Sequence, residues 1–284
     1  MNTNEKAHHK QAFKQGLTAF SSELEKVIST GNGEWSVKGF IDIYKNVYTI
    51  SSDTKIISKI LEIHIFPHLL RFAEEIGYKI LLAPHQNYYP DITFVHKKHD
   101  EVKFAVDIKT TYRKENGLCA FTLGSHGAYF KERDKSKNIL FPYNHYLGHF
   151  CLGIVYSRII AASDVQAETR VYRIQDLQSI SSVIGNFDFF AAEKWKIAGD
   201  KQGSGNTANI GTMLSIEDLR AENGMFSQLG EEWFDEYWIN FGSATMIKDG
   251  RTVKITSLKD FLEFKGRTDL WEMIVPKSAR KEQL

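Results

Sequence analysis

Two apolar runs, Asp91–His96 and Val102–Lys109, are separated only by the charged turn Lys97–Glu101. Such spacing predicts a β-hairpin, hence an antiparallel strand pair. Side chains alternate along Lys103–Lys109, so Phe104, Val106 and Ile108 share one face, which reads as the core face. Ala105, Asp107 and Lys109 share the other. Asp91 opens the preceding strand, and the hairpin can bring its carboxylate beside that of Asp107.

The surrounding chain alternates between helix and strand signals. Leu17–Ile28 predicts a short helix, and residues 35–50 two short strands around Asp42–Asn46. Ser51-Ser52-Asp53 predicts a helix start, followed by Ile56, Ile57, Ile60, Leu61, His64 and Ile65 on one helical face. Pro67 predicts a kink or restart, and Gly77 a stop. Tyr78–Leu82 and Leu152–Ser157 read as strands. Residues 142–150, Glu231–Asn240 and Leu258–Phe264 read as helices. Residues 1–16 read as a flexible tail and 266–284 as another, basic at its end. The interleaving predicts an α/β fold with a central mixed sheet of five to six strands flanked by helices.

Composition sets the outer limits. The chain has 284 residues with 42% hydrophobic and 25% charged, which suits a soluble globular protein and excludes disordered, collagen-like and coiled-coil chains. Two cysteines are too few for a secreted disulfide scaffold. No apolar run approaches a membrane span, and the polar N-terminus lacks a signal-peptide core, so a cytoplasmic protein with no membrane partner is expected. Net charge is +1, yet residues 107–137 carry seven Lys/Arg against four Asp/Glu, whereas 217–236 carry seven acids and one Arg. A surface facing nucleic acid would use the first stretch and turn the second away.

The chemistry concentrates in Pro90-Asp91 and Asp107-Ile108-Lys109. Two adjacent carboxylates repel and are costly to desolvate, which a divalent cation resolves. Mg²⁺ held by carboxylates polarises a phosphate and acidifies bound water, and a lysine on the same face stabilises developing charge. That is a complete set for phosphodiester hydrolysis. The structural alternative is a strand-edge ion pair of little energetic value. By pattern alone Glu62 is a solvated helix-face residue beside Lys55, Ser58 and Lys59. Gly203-Ser204-Gly205-Asn206-Thr207-Ala208-Asn209 formally matches a dinucleotide fingerprint, but no clear helix follows it. It reads either as a surface turn or as a loop pressing its backbone on base edges, where Asn suits adenine and the Thr methyl suits thymine. His145/His149 and His64/His68 have helical spacing but lack the rest of a zinc motif.

These pieces occur together in a known pattern. The chain resembles type II restriction endonucleases of the PD-(D/E)xK superfamily. The resemblance rests on Ser52–Lys55, Gln86-Asn87, Tyr89-Pro90-Asp91, Asp107–Tyr112, Phe121–Gly124, Lys137–Ile139, Lys194-Trp195, Ile197–Asp200, Gly203–Thr207 and Asn209–Gly211. It spans about residues 35–240 of the 284.

It implies a restriction-endonuclease-like core over 17–265, with dimerisation elements in about 17–50, a catalytic core in 51–160 and a DNA-recognition region in 190–240. Asp91 and Asp107 would hold Mg²⁺, with Lys109 assisting the attacking water and Glu62 as an auxiliary acidic or metal residue. Mn²⁺ would substitute, and Ca²⁺ would support binding rather than cleavage. Gly203, Ser204, Gly205, Asn206, Thr207 and Asn209 would read bases in the major groove, and Gln86 and Asn87 would lie at the minor groove. Thr54, Lys55, Thr110, Thr111, Ser125 and Lys137 would contact phosphates. The enzyme would be a homodimer on palindromic double-stranded DNA, cutting GATATC bluntly at its centre to leave 5′-phosphate and 3′-hydroxyl ends, and would imply a cognate methyltransferase. The pattern is departed from at the two termini, at Ala208, where it has a threonine, at His85 and Tyr88, and at Ser125–Ala128. Two alternatives stay open: a specific DNA-binding protein that does not cut, and a structure-specific nuclease of the same fold.

Overall fold

The structure, a computed structural model, describes residues 1–85, 88–159, 171–203 and 208–274. Two long helices come early, α1 (Thr3–Ile28) and α2 (Thr54–Glu75). The strands are β1 (Gly39–Ile41), β2 (Asn46–Thr49), β3 (Tyr78–Leu81), β4 (Ile92–His96), β5 (Lys103–Lys114), β6 (Gly117–Leu118) and β7 (Thr122–Ser125). They continue as β8 (Gly148–Arg158), β9 (Val171–Arg173), β10 (Ile184–Glu193), β11 (Ala198–Gln202), β12 (Asn209–Thr212), β13 (Thr245–Lys248) and β14 (Arg251–Lys254).

The central sheet has the order β10-β8-β5-β4-β3, with β6 added to the end of β5. Only the β5–β8 pair is parallel; β3–β4, β4–β5 and β8–β10 are antiparallel, so the sheet is mixed, as expected. Side-chain alternation on β5 splits the core in two. Phe104, Val106 and Ile108 join α1 and α2 through Phe13, Leu17, Ile57, Leu61 and Phe72, and the Phe13 and Phe104 rings stack 4.2 Å apart. Ala105, with Cys151 and Val155 of β8, joins a second cluster that includes Phe130, Tyr143, Phe234, Trp238 and Phe261. Asp107 and Lys109 therefore look into a covered face rather than into solvent.

Several sequence expectations need correction. Residues 1–16 are not a flexible tail: α1 starts at Thr3, and Asn2 and Glu5 form a reciprocal capping box. Its buried residues, Phe13, Leu17, Ser21, Leu24 and Ile28, recur every three to four positions. Lys10 and Lys14 anchor it further through Glu193, Glu222 and Glu231. Residues 142–150 are not a helix. A 3₁₀ turn at Tyr143–His145 leads into β8, whose residues up to Tyr156 are buried on both faces, an apolar run that periodicity alone cannot separate from helix. Part of the expected C-terminal tail is ordered too, since Thr268–Ile274 is a helix with Leu270, Trp271 and Ile274 packed on the second core. Residues 275–284 lie outside the described residues. Pro67 sits inside an unbroken α2, where Ile65, Leu69 and Phe72 keep the buried face continuous across it. Asp53 caps α2 by accepting from the N–H groups of Lys55 and Ile56.

Candidate active site

The register of the β4–β5 pair sets Ile92 against Val106, which places Asp91, one residue outside the strand, next to Asp107. Two backbone bonds lock this corner. The Ile108 N–H donates to Asp91 Oδ2 at 2.8 Å, and the Asp91 N–H donates to Asp107 Oδ1 at 3.4 Å. Lys109 lies on the same face as Asp107, with Nζ 2.6 Å from Asp107 Oδ2 and 4.0 Å from Asp91 Oδ2. Two carboxylates and one ammonium thus meet at one point on the edge of the core.

Their electrostatics differ by environment. Burial, together with the charge of Asp107, raises the Asp91 carboxyl above its ordinary value. Burial opposes ionisation of Asp107 too, but Lys109 outweighs it and holds that carboxyl low. The Lys109 ammonium is desolvated, yet its two carboxylates raise it well above the usual lysine range. At neutral pH Lys109 is therefore a fixed cation, suited to stabilising charge and not to accepting a proton.

Glu62, from α2, lines one cleft with Asp91 and Pro90, and the cleft holds about 520 Å³. Lys59 pairs with Glu62 at 2.6 Å. The oxygen donors of Asp91 and Asp107 suit a hard divalent cation, while Glu62 lines the same cleft without forming a three-carboxylate cluster with them among the described residues. Burial and the charge of Asp107 together raise Asp91, and a bound cation would offset both.

The other predicted residues are placed as follows. Thr54 opens α2 and Lys55 is exposed beside it. The Thr110 hydroxyl bonds Ser58 of α2, whereas Thr111 is buried and donates to the Cys119 carbonyl at 2.5 Å. Thr110 and Thr111 thus point to opposite faces of β5, so a single phosphate cannot meet both hydroxyls as they stand. Lys137 is exposed, two residues before the Tyr89–Ile139 bridge that adjoins Asp91. Ser125 is on β7, opposite Asn209 of β12, and its Oγ accepts from the Gly127 N–H at 2.9 Å. Gly203 donates to the Asn209 carbonyl at 3.0 Å and closes the base of the β11–β12 hairpin. A Cβ on Gly203 would lie 2.3 Å from Thr122 Cγ2, so any larger residue there would have to displace the Thr122 side chain. Gln86, Asn87, Ser204, Gly205, Asn206 and Thr207 lie outside the described residues. The fold therefore joins Asp91, Asp107 and Lys109 in one corner, with Glu62 on the lining of the cleft beside Asp91, and carries Asn209 and Ser125 on a separate β11-β12-β7 sheet with Gly203 just past the end of β11.

Sequence reasoning gave no role to Lys194, although Lys194-Trp195 is part of the resemblance. Lys194 is buried, and Asp107 is among the charges that act on it. The sequence held no signal for this role, because a lone lysine does not show its burial. His149 proves structural: it stacks on Tyr143 and bonds the Tyr89 hydroxyl at 2.9 Å.

A family model described as restriction endonuclease EcoRV matches residues 31–266. The chain belongs to the EcoRV restriction endonuclease family. The Type II restriction enzyme EcoRV of Escherichia coli is 33% identical to it over 248 residues, which are 87% of this chain and 98% of that relative. The chain is accordingly a type II, site-specific deoxyribonuclease that binds DNA, and its family implies a divalent metal cofactor. The match begins after α1, so that helix stands outside the family segment. Among the described residues no helix is long and apolar enough to cross a membrane.

Proposed function

We propose that this EcoRV-family enzyme is a Mg²⁺-dependent homodimer that cuts both strands of GATATC at the centre, leaving blunt ends with 5′-phosphate and 3′-hydroxyl groups. The observation that carries the catalytic part is the meeting of Asp91, Asp107 and Lys109 on the β4–β5 pair. Asp91 and Asp107 would hold Mg²⁺, with Glu62 auxiliary. The ion, when bound, supplies polarisation of the scissile phosphate and a more acidic water. The chain's own part is to place carboxylate oxygens and a permanent cation around one phosphate. Lys109 stabilises the charge that builds as water adds to phosphorus and the 3′-oxygen leaves.

Recognition is assigned to Gly203, Ser204, Gly205, Asn206, Thr207 and Asn209, with Gln86 and Asn87 at the minor groove. Thr54, Lys55, Thr110, Thr111, Ser125 and Lys137 are assigned to phosphates, which position the protein without reading sequence. Thr111 would have to use its backbone or release Cys119. The homodimer reading is supported by an apolar surface on the β1–β2 hairpin, where Phe40, Ile41, Ile43 and Tyr44 are all more than half exposed. A two-fold dimer matches a palindrome and brings one active site to each strand. Such an enzyme needs a cognate methyltransferase to protect host sites.

The test is single-turnover cleavage of a duplex containing GATATC, with Mg²⁺, by the wild type and by Asp107→Ala. Wild-type cleavage lost in a folded Asp107→Ala protein is expected. Cleavage retained by that variant refutes the metal assignment. Specific binding without cleavage by the wild type refutes the proposed Mg²⁺-dependent cut.

A further inference from the structure

Lys194 begins a 3₁₀ turn between β10 and β11, the strand that leads to Gly203. It is only 3% exposed, and among the described residues its Nζ has no hydrogen-bond partner. Ring faces surround it instead, with Tyr89, Phe130 and Tyr143 centred 4.9, 5.5 and 5.6 Å away. Such faces attract a cation but return less than water would. A buried ammonium without an acceptor is among the more destabilising groups a core can hold. Burial accordingly pushes Lys194 down to about 8.

No packing role requires that charge. A methionine has nearly the same shape and would suit the aromatic box better. Its neighbours point to another role. Tyr89 lies two residues before Asp91. Asp107 and Lys194 act on each other: the carboxylate favours the ammonium, and the ammonium favours the carboxylate. Asp107 spends its direct bond on Lys109, so Lys194 acts on it through space.

We propose that Lys194 is a positioning residue whose buried, unpaired charge sets the electrostatics of the Asp91–Asp107 site at a cost in stability. This rests on the proposed metal-site reading of Asp91 and Asp107. Two consequences follow. The charge repels a divalent cation, so it weakens metal binding. It also adds positive potential behind the phosphate, so it favours the more negative transition state. Removing it should tighten the metal and slow the cut, a combination that a merely structural lysine would not produce.

The experiment compares the full-length wild type with Lys194→Met and with the charge-retaining Lys194→Arg. Three readouts are taken: melting temperature in EDTA, Mn²⁺ binding by electron paramagnetic resonance, and kcat and KM on a GATATC duplex with saturating Mg²⁺. For Lys194→Met the melting temperature should rise by roughly 3 °C or more. Its Mn²⁺ midpoint should fall about threefold or more. Its kcat should fall about tenfold with KM within about threefold. Lys194→Arg should keep the wild-type Mn²⁺ midpoint. A Lys194→Met protein that is less stable than wild type, or whose Mn²⁺ midpoint is unchanged, overturns the proposal. So does an equal midpoint shift in Lys194→Arg. The first two readouts need no cleavage, so a wild type that fails to cut would count against the functional reading and leave this one decided separately.

Discussion

The two carboxylates should respond in opposite ways to the same substitution. Asp107 is 7% exposed and holds Lys109 at 2.6 Å, so Asp107→Asn leaves a partly buried ammonium with Asp91, 4.0 Å away, as its remaining carboxylate. Breaking a buried pair by removing one partner costs about 3–5 kcal/mol, and the remaining Asp91 places this case near about 3 kcal/mol. At about 2–4 °C per kcal/mol for a chain of this size, the melting temperature should drop by roughly 6–12 °C. Asp91→Asn differs. The Asp91 carboxyl is raised by burial and by Asp107, so a neutral amide removes a repulsion while still accepting the Ile108 N–H. Its melting temperature should equal or exceed that of the wild type. Both variants should lose cleavage by about a thousandfold, because either loss removes a ligand of the proposed ion. The assay is scanning calorimetry in EDTA at neutral pH, paired with single-turnover cleavage in Mg²⁺. Equal melting shifts in the two variants, or an unshifted Asp107→Asn, would refute the account of how this corner is charged.

Other outcomes follow from single observations. Lys109→Met should slow cleavage by about 100- to 1000-fold while Ca²⁺-supported DNA binding stays within a few-fold, measured by quench-flow and fluorescence anisotropy; lost binding with normal chemistry would contradict its role. Glu193 is buried, which alone would raise it, but Lys10 and Lys196 hold it down to about 2. Its contribution, roughly 3 kcal/mol, should be fully present above about pH 4.5 and lost as pH falls toward 2, so the stability gap between wild type and Glu193→Gln should close over that range in denaturant titrations. A gap that is constant with pH would sink this. Ile43, 87% exposed on the β1–β2 hairpin, should tolerate Asp as a folded chain yet give monomers by sedimentation and lose double-strand cleavage; an intact dimer would exclude that surface.

The hairpin that carries the site was legible because its signals are local. A charged turn between two short apolar runs fixes the pairing, and period-two alternation then places Asp107 and Lys109 together. The helix at Glu231–Asn240 and that at Leu258–Phe264 were legible for the same reason, with clear apolar spacing. The second half of α1, Leu17–Ile28, was legible, but its first half was hidden because those turns bury little besides Phe13 and rely on Lys10 and Lys14 pairing with residues about 200 positions away. The start of β8, Gly148–Cys151, was hidden because burial on both faces erases the alternation that marks a strand, whereas Leu152–Ser157 was legible. Lys194 was hidden because a lone lysine carries no sign of burial. The covered second face of β5 depends on helices more than a hundred residues later.

The most direct measurement is a Mg²⁺ digest of two plasmids, identical except that one carries a single GATATC, followed by sequencing of the ends. One blunt cut between GAT and ATC, on that plasmid alone, is the expected result. Cuts at a different fixed sequence would contradict the assignment of Gly203–Asn209 as a GATATC reader, and a folded, metal-supplied protein that cuts neither plasmid would contradict the proposed activity itself.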